Sequence, residues 1–436
     1  MVLLKSFRNI FLISELRKKI AFTLGVLIVF RLGAYIPVIG VNVQKLAEYM
    51  GQKSGIGGLL SYFDIFSGGS LQACTVFALG IGPYISASIM MQILGMTVPS
   101  LEQLLKDGEY GRKIINQYTR YLALGLAVLQ SVGFATLLEH QGLVLVPGWS
   151  FRILFVMTLT AGAMIAMWLG DQISLHGIGN GSSMLIFAGI VSHYPNMILR
   201  LVHEVQEGSV NIILALMVLV VFLFITASII FLEKGERKVP VQYARRIVGN
   251  RVYSGQSSYI PFKINSAGIM PVIFAGAVLK FPLFLAGMLA PYFPIVNTVV
   301  QAFNSGPLFL VSEFLLIILF SFLYSALAIN PVELAENIRK NGGFVPGMRP
   351  GKQTVQYFEY LLNRIGLVGA IYLGLLAVFP AILQKLFGIP FYESGTSMLI
   401  VVGVALEFSS QVESYLIERR YEGFLSGGRM KRGGVR

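Results

Sequence analysis

Ile81 and Ile85 stand four residues apart in "GIGPYIS", and Ser88 and Gln92 continue the same helical face. Ile186 and Ile190 repeat the spacing in "MLIFAGIV". Branched apolar side chains do no acid–base or nucleophilic chemistry. They can line a constriction that sheds water, although apolar pairs four apart more often simply fill lipid-facing helices. Other reactive groups are sparse. Arg31 lies one residue before the "LGAYIP" that ends an apolar run, where a guanidinium can snorkel or bond nearby carbonyls. Lys280 and Glu313 stand near the ends of such runs, and His176, His193 and His203 read as surface residues in loops or at run edges. No His/Cys/Asp/Glu cluster has metal-ligand spacing, and no glycine-rich loop has the phosphate-cradling pattern. The sequence therefore predicts no enzyme, no cofactor and no metal. It also lacks the intramembrane acids that ion-driven carriers keep for coupling.

The elements that must position these residues are long and apolar. Of 436 residues, 55% are hydrophobic and only 13% charged, too little polar surface for a soluble protein. Ten continuous runs of membrane-spanning length are expected, at 20–39, 73–94, 117–138, 151–170, 182–201, 210–232, 266–290, 307–329, 364–386 and 396–416. Continuity rather than alternation makes them helices, not barrel strands. Cys74 is the single cysteine, so no intramolecular disulfide can form. The basic N-terminus leads into the first run without a cleavable signal, and the tail "SGGRMKRGGVR" reads as disordered. The net charge is +13, and 27 of the 34 Lys and Arg residues fall in the two terminal segments and alternate loops. The positive-inside rule then puts both termini in the cytoplasm.

Two loops of that charged side are unusually long. Residues 233–265 contain "VPVQYARRIVG...RVYSG", which predicts a short hairpin with turn formers at Gly249 and Gly255. Residues 330–363 contain "NPVELAENIRKNGG", which predicts a short helix capped by Asn330 with Pro331 in its first position, followed by the basic tip "VPGMRPGKQT". Mixed apolar and basic tips suit docking better than spacing. Five runs precede the first loop and five follow it, so related halves would have inverted topology.

The chain resembles the SecY protein-translocation channel family, bacterial type. The matching stretches occur in order along nearly the whole length: "FSGG" with "FALGIGPYISASI", "GRKIINQYTRY", "MWLGDQIS..GIGNGSS", "IFAGIV", "RRIVGNRVYSGQSS", "SAGIMPVIF", "NPVELAENIRKNGGFVPGMRPGKQT" and "SGTSMLIVV". The resemblance implies an all-α polytopic membrane protein: ten helices in two pseudo-symmetric inverted halves around a central pore, with a plug helix. The halves would be 1–209 and 210–416, with docking loops at 233–265 and 330–363 and a cytoplasmic tail at 417–436. Matching motif by motif, the pore ring would be Ile81, Ile85, Ile186, Ile190, Ile273 and Ile400. The plug would span about 57–72, with Phe63, Asp64, Phe66 and Ser67 and a hinge at Gly68 and Gly69. Ser86, Gln92, Gln130 and Asn265 would face a lateral gate to lipid.

The implied function is the central channel of the Sec translocon. It would pass unfolded secretory polypeptides across the bacterial cytoplasmic membrane and release transmembrane segments into the lipid bilayer. Implied partners are the small subunits SecE and SecG, the SecA motor ATPase, the ribosome with its nascent chain, and signal peptides. Arg245, Arg246, Arg251 and Arg349 would dock the ribosome and SecA. The chain departs from the family pattern at Asn250, where an arginine is frequent, at Lys352, where an acid is common, and at "ESGTS", where a glycine pair is usual. The alternative from another class is a small-solute secondary transporter with inverted repeats. A third is an insertase or scaffold without a through-pore, which needs no six-part constriction.

Overall fold

The computed structural model describes residues 13–51, 60, 64, 67–243, 246–248, 251–253, 257–289, 296, 298, 303, 307–387 and 394–430. In chain order the helices are α1 (Ser14–Gly33), α2 (Val43–Gly51), α3 (Gly82–Thr97), α4 (Pro99–Lys106), α5 (Glu109–His140), α6 (Trp149–His176), α7 (Gly181–Val191), α8 (Tyr194–Gln206) and α9 (Ile212–Lys234). Strands β1 (Glu236–Tyr243), β2 (Arg246–Val248), β3 (Arg251–Tyr253) and β4 (Ser257–Lys263) come next. Then follow α10 (Met270–Leu289), α11 (Pro307–Ala328), α12 (Pro331–Lys340), β5 (Gly343–Phe344), α13 (Lys352–Phe387) and α14 (Gly395–Met430). A helix thus meets each of the ten apolar runs. Among the described residues seven are long and apolar enough to cross a membrane, or eight if the pair α3–α4, bent by 103°, is one broken span. In α9 only Val218, Ile225, Ile229 and Leu232 are buried, so most of a uniformly apolar helix faces outward, as a lipid-facing helix does.

Three boundaries differ from the expectations. The first helix ends at Gly33 rather than 39, because the chain turns extended and Pro37 bridges to Thr75. The second run is helical only from Gly82; residues 68–81 form successive turns. Their backbone is tied outside any helix: Val38 N–H donates to the Cys74 carbonyl at 2.8 Å and Val76 N–H to that of Ile36 at 3.0 Å. Cys74 adopts φ +45°, the left-handed region. Non-helical backbone at membrane depth is tolerated where protein covers it, and Cys74 is fully buried in a core with Leu46, Phe134, Phe155 and Leu159. The expected disordered tail is helical up to Met430, since α14 continues without a break; residues beyond lie outside those described.

The described residues fall into two compact units. The first takes them from Met1–His203, Lys280–Gly306 and Val404–Arg436, the second from Glu204–Leu279 and Pro307–Gly403. Within the second, the two long loops build one small body. Antiparallel β1 and β4 pair along their length, and β5, from the other loop, adds to the free edge of β1 through Gln242↔Phe344 and Tyr243↔Gly343. Val239 and Val241 alternate with exposed neighbours and pack with Phe262, Ile338 and Phe358. The expected hairpin is present as β2–β3, with Arg246 opposite Tyr253 and Val248 opposite Arg251. Helix α12 starts as read: the Asn330 side chain accepts from the N–H groups of Val332 at 3.1 Å and Glu333 at 3.4 Å, with Pro331 first in the helix.

Candidate functional site

In the first unit the turns at 68–81 settle onto three helices. Gly162 on α6 lets the Val76 carbonyl approach; a β-carbon there would lie 1.9 Å from that oxygen. Phe77 stacks on Phe30 of α1 with ring centroids 5.1 Å apart. Gly68, at φ +69°, sits against the backbone of Gly189 on α7, and an added β-carbon would come within 2.7 Å of the Gly189 Cα. No other residue meets both the dihedral and the space. The Gly68 carbonyl accepts a hydrogen bond from the Arg31 guanidinium at the end of α1. Arg31 therefore bonds a carbonyl of the turn, one of its two expected fates.

Asp64 is 6% exposed. One of its oxygens accepts from Leu71 N–H at 3.0 Å and Gln72 N–H at 2.9 Å, while Ser67 Oγ donates to the Asp64 carbonyl at 3.1 Å. Burial pushes the Asp64 carboxyl above the ordinary aspartate value; the two N–H bonds and the nearby His193 hold it back. His193 is a correction to the sequence reading. It is half-buried, its ring stands where a β-carbon on Gly69 would touch, and its Nε2 is shielded without a hydrogen-bond partner among the described residues. Nothing in the sequence around "SHYPN" signals this, because the contact is made by the turn at Gly69. Phe63 and Phe66 lie outside the described residues.

The isoleucines divide between the units. Ile81 precedes the first turn of α3 and is buried, while Ile85 is half-buried. The Ile81 δ-methyl and Leu185 both border Gly170 of α6. Ile186 and Ile190 are buried on one face of α7, which Asn180 caps through the Ser182 and Ser183 N–H groups. In the second unit Ile269 presses on Gly403, a β-carbon there falling 2.1 Å from its Cγ2. That contact joins the start of α10 to α14. Ile273 and Ile400 are buried about one helical turn from it on either helix.

The four proposed gate residues have separate surroundings. Ser86 is half-buried on α3, and the Gln92 amide donates to Ser88 of its own helix at 3.4 Å. Gln130 is buried on α5. Ala87 of α3 packs with Ala123 of α5 in a cluster that also takes in Met167 of α6. Asn265, in the second unit, donates to Glu233 Oε1 at 2.6 Å and to the Gly268 carbonyl at 2.9 Å, tying the end of α9 to the approach to α10. Sequence reasoning missed Glu233, which reads as one more loop acid.

On the loop body, Arg349 is exposed at a tip whose backbone is held on both sides. Its N–H donates to Gln353 Oε1 at 3.3 Å, and its carbonyl accepts from Thr354 Oγ1 at 3.1 Å. Gly347 and Gly351 supply the turns around it, with φ +83° and +113°. The backbone of Arg246 and Arg251 lies in the β2–β3 hairpin; Arg245 lies outside the described residues. The arrangement offers a fixed platform with a projecting cation.

Comparison with known proteins gives consistent findings. The SecY family profile matches residues 75–409. The chain is 45% identical to the protein translocase subunit SecY of Thermus thermophilus, over 98% of this chain and 99% of that one. It is 41% identical to the Escherichia coli K12 subunit of the same name, over 96% of each. Among solved structures it is similar to a protein-conducting channel, with TM-score 0.67 and 17% identity over 91% of this chain and 92% of that one. A channel from the canine ribosome-channel complex of the endoplasmic reticulum gives TM-score 0.64 at 16% identity, again over 91% and 92%.

Proposed function

The chain belongs to the SecY family, and from that premise we propose that it is the channel-forming subunit of a Sec translocon. It passes unfolded secretory polypeptides across the membrane and releases apolar segments sideways into lipid. The observation that carries the reading is the character of the six ring positions. Ile81, Ile85, Ile186, Ile190, Ile273 and Ile400 are all branched and apolar, and five of the six are buried. A ring of such side chains dewets when empty and offers no hydrogen bond to a passing chain, so sequences of any composition can slide.

The segment around Asp64, Ser67, Gly68 and Gly69 acts as the plug and its hinge, seated by Arg31 and the Gly189 backbone. Ser86, Gln92, Gln130 and Asn265 belong to the lateral gate. The protein lies in the bacterial cytoplasmic membrane with both termini inside, and SecE and SecG accompany it. Arg246, Arg251 and Arg349 dock SecA or the ribosome. Ribosomal RNA is a phosphate surface, so that binding weakens with salt. It acts as a conduit and not as an enzyme; energy comes from the docked partner.

Photo-crosslinking tests the reading. A photoreactive residue at Ile81 or Ile400, in membranes carrying an engaged secretory chain of fixed length, should crosslink to that chain only while it is engaged. No crosslink at either position, with docking at Arg349 intact, would send the substrate along another route and overturn the ring.

A further inference from the structure

Where α9 and α13 leave their apolar stretches, a cavity of about 390 Å³ is lined by Glu236, Arg237, Ile264, Arg364, Ile365 and Val368. Its construction follows from the second unit alone. The Ile264 N–H donates to the Gly235 carbonyl at 2.9 Å, closing the chain between β4 and α10 onto the end of α9. Gly369 lets α13 lie against the Ile264 carbonyl, where a β-carbon would sit 2.5 Å away. The floor is therefore Ile264, Ile365 and Val368, and the rim carries the charges.

Those charges are unequal in their commitments. Glu236 is held by Lys238 at 3.3 Å. Arg364 stands over the Tyr360 ring, 4.5 Å from its centroid. Neither Arg364 nor Arg237 has a carboxylate partner among the described residues. Both are exposed, and both stand at the level where membrane-spanning helices change character: α9 ends its apolar run at Leu232, and α13 begins its own at Ile365. That is the depth of lipid headgroups. The other end of the cavity opens at Val368, 62% exposed, beside Leu367 and Ile371 on the outward face of α13. A water's share of volume is about 30 Å³, so the space holds a phosphodiester, its glycerol and the first methylenes of a chain rather than a bare ion.

We propose that this cavity binds an anionic phospholipid, its phosphate between Arg237 and Arg364 and an acyl chain along Ile264, Ile365 and Val368. The inference rests on α9 and α13 spanning the membrane, not on the chain being a conduit. Basic residues at this level attract anionic lipid by roughly five-fold each, so the pair supplies roughly thirty-fold.

The purified complex, with its native partner subunits, is stripped of lipid and titrated with phosphatidylglycerol or phosphatidylcholine of matched chains, and bound lipid is counted by native mass spectrometry. Wild type should retain one phosphatidylglycerol that R237Q/R364Q binds roughly thirty-fold more weakly, with phosphatidylcholine binding unchanged. V368W, which keeps both charges and fills the trough, should also lose it, and inorganic phosphate should not compete. Equal retention by R237Q/R364Q overturns the proposal. So does full retention by V368W, which would mean surface charge without a trough. Displacement by inorganic phosphate would make it an ion site. A crosslink from position 368 to a partner helix, with lipid binding unaltered by the arginine variants, would assign the groove to that helix instead. All four readouts are independent of translocation, so a failed conduit reading leaves them standing.

Discussion

Replacing Arg31 by methionine removes the guanidinium, with its bond to the Gly68 carbonyl and its place over the Tyr35 ring, and leaves the packing volume nearly intact. In the native chain the guanidinium donates to the Gly68 carbonyl, at the hinge where φ is +69° and the backbone rests on Gly189. A charge-assisted hydrogen bond of this kind contributes about 1.5–3 kcal/mol when its loss strands a buried acceptor. Every 1.4 kcal/mol is a factor of about ten in an equilibrium, so the seated hinge should lose about ten- to a hundred-fold in population relative to the released one. If the hinge is the plug's, the variant reconstituted in a planar bilayer should conduct ions at rest far more often than wild type. Arg31→Lys keeps a donor of the same charge and should recover most of the seal. A resting conductance equal to wild type in Arg31→Met would refute the argument. Equal leakage by the lysine and methionine variants would refute the part that assigns the effect to the donated bond.

Asp64 predicts a pH dependence of the same seat. Its carboxyl is raised above the ordinary value by burial, so the seated form binds the proton more tightly than the released form. Seating is therefore strongest at low pH and weakens as pH rises through the interval above the ordinary aspartate value. Hydrogen exchange of residues 67–75, corrected for intrinsic rates, should follow that slope in wild type and lose it in Asp64→Asn, which keeps an oxygen for Leu71 and Gln72 but carries no charge; equal slopes would contradict the assignment. Asn330→Ala frees the N–H groups of Val332 and Glu333 and should cost α12 about 1 kcal/mol, read as faster exchange confined to 331–340. Arg349→Ala should weaken ribosome or SecA binding and flatten its salt dependence while leaving the melting temperature unchanged, because the bonds that tie Arg349 into the tip are those of its backbone, which alanine keeps.

Local signals made much of the fold legible. The ten apolar runs meet ten helical regions, the Asn330–Pro331 start of α12 is where a cap and a first-turn proline put it, and the turn formers Gly249 and Gly255 among mixed apolar and basic residues announced the β2–β3 hairpin. Residues 73–81 were not legible. Their hydropathy is that of a spanning helix, and what keeps them irregular is pairing with Pro37 and its neighbours, together with the left-handed turn at Cys74. Strand β5 escaped notice because two residues have no periodicity. At the candidate site, spacing singled out the pairs Ile81/Ile85 and Ile186/Ile190, but Ile273 and Ile400 came only from resemblance. His193 and Glu233 were missed since each acquires its role from residues distant in sequence: Gly69 and Asp64 for one, Asn265 for the other.

The two-residue pairing of β5 with β1 has a mechanical consequence. Without it and the core the two loops share, they would be separate tethers, each able to swing on its own stem. With Gln242 bonded opposite Phe344, and Val239, Ile338 and Phe358 sharing one core, they turn as a single crank whose shafts are α9, α10, α11 and α13. A push on the Arg349 tip is delivered as torque to four stems at once rather than dissipated in one slack strand. Cutting the chain within either loop should therefore leave the handle attached but soften it, since the sheet and core, and not only the covalent path, transmit the load.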